Sequence, residues 1–190
     1  MRPPDVAQPY AEAVTIDRTR PGQGSGSVLA VVFITTLMMS VGTNMLNIAV
    51  PVIASEFSAT AVASTLLLMA YPLVNTMLII PAGQIADVLD RRAVFLVGLA
   101  AYAALNIVLG FTPSVELLIV GRAAQGIAAA MLLSSAVAIL MLAFPPQKLT
   151  AAMGVYLAGF SLGQVTGPML GGVIATALGW QWLFWTSAPV

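Results

Sequence analysis

The sequence predicts an all-α integral membrane protein, a bundle of helices that cross a bilayer several times. Three observations carry that expectation. Of 190 residues, 59 % are hydrophobic and 7 % charged, whereas a soluble domain covers its surface with about 25 % charged residues. Apolar runs recur at lengths near the roughly 20 residues that span a hydrocarbon core. The loops between those runs are short, as expected of adjacent antiparallel helices, and with the first 27 residues they hold most of the charge.

The same composition excludes several functions. Formal net charge is zero and there is no cysteine and no histidine. No basic field invites nucleic acid, and disulfides, thiolate or imidazole metal sites and histidine-based triads are ruled out. The seven acidic residues show no spacing that suits an acid/base pair, so the chain is not expected to be an enzyme or to need a cofactor.

Taken in order, residues 1–27 ("MRPPDVAQPYAEAVTIDRTRPGQGSGS") are rich in Pro, Gly and Ser without apolar periodicity and read as a disordered tail. They are not a cleaved signal peptide, because the apolar segment that follows exceeds the 7–15 residues of an h-region. Residues 28–190 read as a partial N-terminal transmembrane bundle. Five complete spans fall at about 28–53, 62–86, 93–111, 115–143 and 149–178, and a sixth begins near 180 in "GWQWLFWTSAPV".

Orientation follows from the basic residues. Arg2, Arg18 and Arg20 precede the first span, Arg91 and Arg92 join the second to the third, and Lys148 joins the fourth to the fifth. The alternate loops hold Glu56 and Glu116 but no Lys or Arg. That asymmetry places the N-terminus in the cytoplasm. Trp180, Trp182 and Trp185 then fall at the outer boundary, where indoles prefer to sit.

Within the first span Thr36, Ser40, Thr43, Asn44 and Asn47 share an arc of about 100°. Amide side chains are costly in hydrocarbon, so the stripe is expected to line a cavity; interhelical hydrogen bonding is the alternative. Tyr71 with Asn75, and Tyr102 with Asn106, are shorter i, i+4 pairs open to either use. In the fourth span Arg122 lies too deep for easy escape to the interface. An arginine at mid-membrane costs about 2.5–3.5 kcal/mol on insertion scales and needs a partner or a role. Gln125, one turn on, shares its face.

The fifth span contains "GVYLAGFSLGQVTGPMLGG", with six glycines and a proline between Gly154 and Gly172. Each Gly costs about 1 kcal/mol and Pro about 3 relative to Ala inside a helix. Gly159, Gly163, Gly167 and Gly171 recur every four residues and make a groove that a second backbone can enter. Pro168 removes a backbone donor and bends the helix, so the segment reads as a hinge.

These motifs together resemble the N-terminal half of a major facilitator superfamily transporter of the drug:proton antiporter type. "GQIADVLDRR" is similar to that family's loop motif at Gly83, Ala86, Asp87, Arg91 and Arg92, and departs from it at Val88 and Asp90. "RAAQGIAAA" follows the fourth-helix motif R-x-x-Q-G, with Ala128 for its second glycine. The fifth span carries the antiporter signature at Gly154, Gly163, Gly167, Pro168, Gly171 and Gly172. "NIAVP" and "GWQWLFWTSAP" resemble the fourteen-helix branch, which has an aspartate where this chain has Gly42.

The resemblance implies proton-coupled efflux of hydrophobic or drug-like compounds across the cell membrane by alternating access. It implies that Arg122 serves proton coupling, that Asp87 and Arg91 pair in a gate at the cytoplasmic loop, and that a second half or a partner subunit completes the pathway. With Gly42 in the first span, export or uptake of a neutral or anionic metabolite without proton antiport stays open. So does a truncated, non-transporting or modulatory membrane protein.

Overall fold

The computed structural model describes residues 25–188, to which every structural statement below refers. Six helices follow one another: α1 (Ser25–Glu56), α2 (Ala61–Val88), α3 (Arg91–Leu109), α4 (Val115–Ala143), α5 (Pro146–Ala177) and the short α6 (Gln181–Thr186). The first five are long and apolar enough to cross a membrane. Because in hydrocarbon every backbone polar group must be satisfied internally, an apolar chain of this kind has little alternative to helices.

The helix starts are chemically marked. Thr60, Asp90 and Ser114 cap α2, α3 and α4, accepting from the backbone N–H of Ala63, Arg92 and Leu117. Such caps each contribute about 1 kcal/mol. Pro146 opens α5, where a missing N–H costs nothing. This explains why α5 begins before residue 149. Likewise α1 starts at Ser25, inside the stretch expected as tail, and the Ser25 hydroxyl donates to the Ala143 carbonyl at 3.2 Å. Residues 1–24 lie outside the described residues, and so does the tail expectation that falls on them.

Packing pairs α1 with α5, α2 with α4, and α3 with α4. Lipid is as apolar as leucine, so helices choose neighbours by close fit rather than by hydrophobicity. The α1–α5 seam shows this directly. A Cβ built on Gly163 would lie 2.5 Å from the Ser40 Cβ and 2.8 Å from the Val41 nitrogen. One on Gly167 would lie 2.8 Å from the Asn44 Cβ, and one on Gly171 2.7 Å from the Met45 Cα. Gly159 meets Phe33 in the same way. The Ser40 hydroxyl, donating to the Phe160 carbonyl at 2.7 Å, fastens the two backbones.

At the end of the bundle where α1 stops, Trp180 is 2 % exposed and its indole N–H donates to a Glu56 carboxylate oxygen at 2.7 Å. Phe57 and Phe184 meet its ring edge-on. Trp180 is thus a buried tie between α1 and the α5–α6 turn. Only Trp182 is exposed among the three tryptophans expected at the boundary. The turn itself uses Gly179 at φ +100°, a conformation that suits glycine.

The seam makes a specific stability prediction. Gly163→Ala and Gly154→Ala gain the same helix propensity, but Gly154 has nothing within 4 Å of its Cβ position. Gly163→Ala is therefore expected to be less stable than Gly154→Ala by about 1–3 kcal/mol, the usual cost of overpacking. Thermal unfolding of the two variants in detergent checks this, and equal midpoints would contradict the seam.

Candidate functional site

The charged centre of the bundle is Arg122, two turns into α4 and 3 % exposed. Its Nη1 donates to the Gln125 side-chain oxygen at 2.9 Å. The Gln125 amide nitrogen donates in turn to the Asn106 side-chain oxygen on α3 at 3.0 Å. The Asn106 amide nitrogen donates to the Tyr102 carbonyl at 2.9 Å. The opposite side of the guanidinium is covered by Tyr71 of α2, whose ring centroid lies 4.5 Å from the Arg122 Cζ. In a desolvated setting such a cation–π contact is worth about 2 kcal/mol.

Gly126 explains how α2 comes so near. A Cβ there would stand 2.7 Å from the Tyr71 carbonyl oxygen and 3.1 Å from the Asn75 nitrogen. The glycine after Gln125 lets α4 press its backbone against α2, which lays the Tyr71 ring on the cation four residues earlier. Arginine, glutamine and glycine therefore act as one local device: charge, polar support, and close approach.

The support is incomplete. The Arg122 Nε, the Thr43 hydroxyl and the Asn75 amide nitrogen are buried without a hydrogen-bond partner. Among the described residues the ion pair formed is Asp87 with Arg91, and no carboxylate faces Arg122. A buried cation with spare donors suits a site that receives a further group, either an anion or a hydrogen-bond acceptor.

The polar stripe of α1 is divided by the structure. Thr36 and Ser40 are each 2 % exposed. The Thr36 hydroxyl donates to its own helix at the Val32 carbonyl, and Ser40 is spent on the α5 seam. Asn44, half-buried against Gly167, donates to the Ser40 carbonyl at 2.8 Å. Thr43 keeps a free hydroxyl and Asn47 is exposed. Part of this arc therefore meets α5, and Asn47 is exposed.

Gly42 has a filled surrounding. A Cβ there would lie 2.6 Å from the Ser187 hydroxyl and 3.9 Å from the Tyr102 hydroxyl. Ser187, buried beyond α6, occupies the space a larger side chain on α1 would need.

The loop site lies apart from Arg122. The Arg91 Nη2 and Nε donate to one Asp87 oxygen at 2.6 and 3.0 Å. Gly83 is half-buried near Ser134, and Arg92 is exposed with its backbone N–H held by Asp90. A cavity of about 360 Å³ opens beside these charges and reaches Val28, Ile139 and Leu142. On α5, Gly163, Gly167 and Gly171 close on α1, while Gly154 faces open space and Gly172 touches only Ile48. Pro168 sits inside one continuous helix.

Sequence reasoning weighed Asn106 only as a partner of Tyr102 and missed its bond to Gln125. It also missed Ser187 against Gly42. The Asn106 signal was present as an i, i+4 pair, but the bond that recruits it spans 19 residues of sequence.

Comparison with known proteins adds the family. The description of the Major Facilitator Superfamily matches residues 32–190, a family of transporters and not of enzymes. The tetracenomycin C resistance and export protein of Streptomyces glaucescens is 30 % identical over 162 residues, covering 85 % of this chain and 30 % of that protein. The multidrug efflux pump LfrA of Mycolicibacterium smegmatis is 29 % identical over 177 residues, covering 93 % of this chain and 35 % of the pump. The chain thus spans about a third of the length of these curated relatives. Among solved structures, a bacterial homologue of the human lysosomal transporter Spinster, inward-facing and unoccupied, superposes with TM-score 0.75 at 20 % identity. That superposition covers 87 % of this chain and 37 % of the other, and shows the same fold.

The Arg122 network predicts its own weak link. Gln125→Leu removes a hydrogen bond to a charge and strands the cation, at an expected cost of about 3 kcal/mol. Gln125→Glu keeps the acceptor for Arg122 and adds the opposite charge but loses the amide donor to Asn106, so it should destabilise less than Gln125→Leu. Reversible unfolding in mixed micelles measures both, and an unperturbed Leu variant would contradict the network.

Proposed function

The chain belongs to the Major Facilitator Superfamily, and from that membership we propose that it forms the N-terminal bundle of a secondary transporter exporting hydrophobic or drug-like compounds. Protons are the proposed driving ion and alternating access the proposed mechanism. The remainder of the pathway comes from a second half or a partner subunit. The observation that carries the reading is Arg122: a buried guanidinium, held in place by Gln125 and Tyr71, with donor capacity left over.

The chemistry follows from that geometry. A carboxylate brought against the guanidinium by the rest of the protein is favoured in its charged form and gives up its proton; withdrawn into an apolar setting, it takes a proton back. Alternation between those two placements couples proton movement to a change of access. The α1–α5 seam supplies the moving part. Its glycines let the two backbones lie close, and Pro168 leaves one carbonyl of α5 without its helical donor, which suits a bend at that point. With the N-terminus in the cytoplasm, Asp87 and Arg91 sit at the inner loop, where their exposed pairing can be exchanged for contacts to the other half. Charge pairs of this kind are individually weak in water, which suits a reversible latch. The family relatives named for export and multidrug efflux support the direction and the substrate class.

A second reading is favoured by Gly42. Since α1 places a glycine packed on Ser187 where the fourteen-helix branch has an acid, and no carboxylate among the described residues faces Arg122, the site also suits a neutral or anionic metabolite moved without proton antiport.

Everted membrane vesicles carrying the whole transporter separate the readings. Under proton antiport, collapse of the pH gradient should abolish uptake of the exported compound. Arg122→Ala should lower uptake by about 10–100-fold, the equivalent of losing one charged hydrogen bond. Transport that persists without a gradient supports the second reading, and full activity in a well-expressed Arg122→Ala variant would overturn the role of Arg122.

A further inference from the structure

The exposed surface of α5 is divided into two arcs, and only one suits lipid. With Gly163 taken as zero and about 100° per residue, the glycines packed on α1 fall between about −40° and +80°. The exposed Leu162, Val165, Met169 and Val173 lie between about 200° and 280°, an apolar arc that meets a polar side chain toward the helix end at Thr176, whose hydroxyl is bonded to its own helix. Between the two, at about 100–160°, come Gln164, Pro168 and Ser161, with the exposed Leu157 two turns before Gln164. Gln164 is exposed near the middle of the Pro146–Ala177 helix. A free primary amide turned toward hydrocarbon is costly.

The seam fixes where that arc points. On α1, with Asn44 as zero, the residues touching α5 (Phe33, Ser40, Val41, Met45) centre near +20°, while Thr43 and Asn47 lie at about −100° and −60°. Since α1 and α5 run in the same direction, a negative rotation on one and a positive rotation on the other lead to the same side of the seam. Gln164 therefore stands on the flank of Thr43, whose hydroxyl is buried without a partner, and of the exposed Asn47. Phe160 and Pro168 provide apolar walls beside it.

We propose that Gln164 is a substrate-contacting residue, which holds through its amide a carbonyl or hydroxyl group on an otherwise apolar compound. The proposal deepens the transporter reading and rests on it. Gln125 and Arg122 are engaged with one another, whereas the Gln164 amide keeps two donors and an acceptor free for such a group.

The test uses the whole transporter in its membrane, with any cysteine outside residues 1–190 changed to serine, since this chain has none. Gln164→Cys and Val165→Cys are exposed to a charged, membrane-impermeant methanethiosulfonate from each side in turn. A thiol reacts as thiolate and needs water, so from at least one side Gln164→Cys should react about tenfold faster than Val165→Cys. Equal rates from both sides would overturn the proposal. With tetracenomycin C and puromycin as transport probes, Gln164→Leu should raise KM for at least one by about fivefold, the loss of one neutral hydrogen bond. Leu162→Ala on the lipid arc should leave KM unchanged. An accessible Gln164→Cys with KM for both probes unmoved in Gln164→Leu would overturn the contact role. If the unsubstituted transporter moves neither probe, the proposed substrate class is what suffers, and the labelling rates still decide the position of Gln164.

Discussion

The guanidinium of Arg122 is the constraint to which the middle of the bundle is arranged. A cation at that depth must be held inside the protein, and three helices contribute to holding it: Gln125 from its own helix, Tyr71 from α2, and Asn106 from α3 by way of Gln125. Each contribution demands a close approach. Gly126 gives α2 access to α4, and the Asn106 bond draws α3 to the same level. The pairing of α4 with both α2 and α3 is thus bound up with a single charge.

The other half of the fold obeys a different rule. Between α1 and α5 there is no charge and little interdigitation; glycines at four-residue steps lie on a neighbouring backbone, with the Ser40 hydroxyl crossing between them. That seam is held by close backbone contact and one side-chain hydrogen bond, whereas α4 is tied to α3 by hydrogen bonds and to α2 by the Tyr71–Arg122 contact. The Glu56–Trp180 tie joins α1 to the turn after α5 at one end only.

Much of this was legible from the residues. Five spans, the depth of Arg122, its shared face with Gln125 and the four-step glycine row all follow from helical periodicity acting on an apolar chain. Periodicity assigns a face but does not say which neighbour covers it. The stripe on α1 was therefore read as one cavity wall, although Thr36, Ser40 and the Thr43 hydroxyl are buried and Asn47 is exposed. For the same reason Ser187 against Gly42 and Asn106 against Gln125 were invisible: both depend on helices meeting far from each other in sequence. The glycine after Gln125 is the instructive case, since its meaning lies wholly in the Tyr71 backbone opposite it.

The central claim is that Arg122, buried within the bundle with a donor to spare, is a functional charge rather than a structural one. The most direct measurement is a cryo-electron microscopy structure of the whole transporter in lipid nanodiscs, read at the guanidinium. The account predicts that Gln125 and Tyr71 remain in contact with Arg122 and that its Nε gains an acceptor, a carboxylate or a substrate group, in at least one state of the transporter. A guanidinium enclosed on every side by fixed side chains from beyond residue 190, or turned to the lipid, would contradict it.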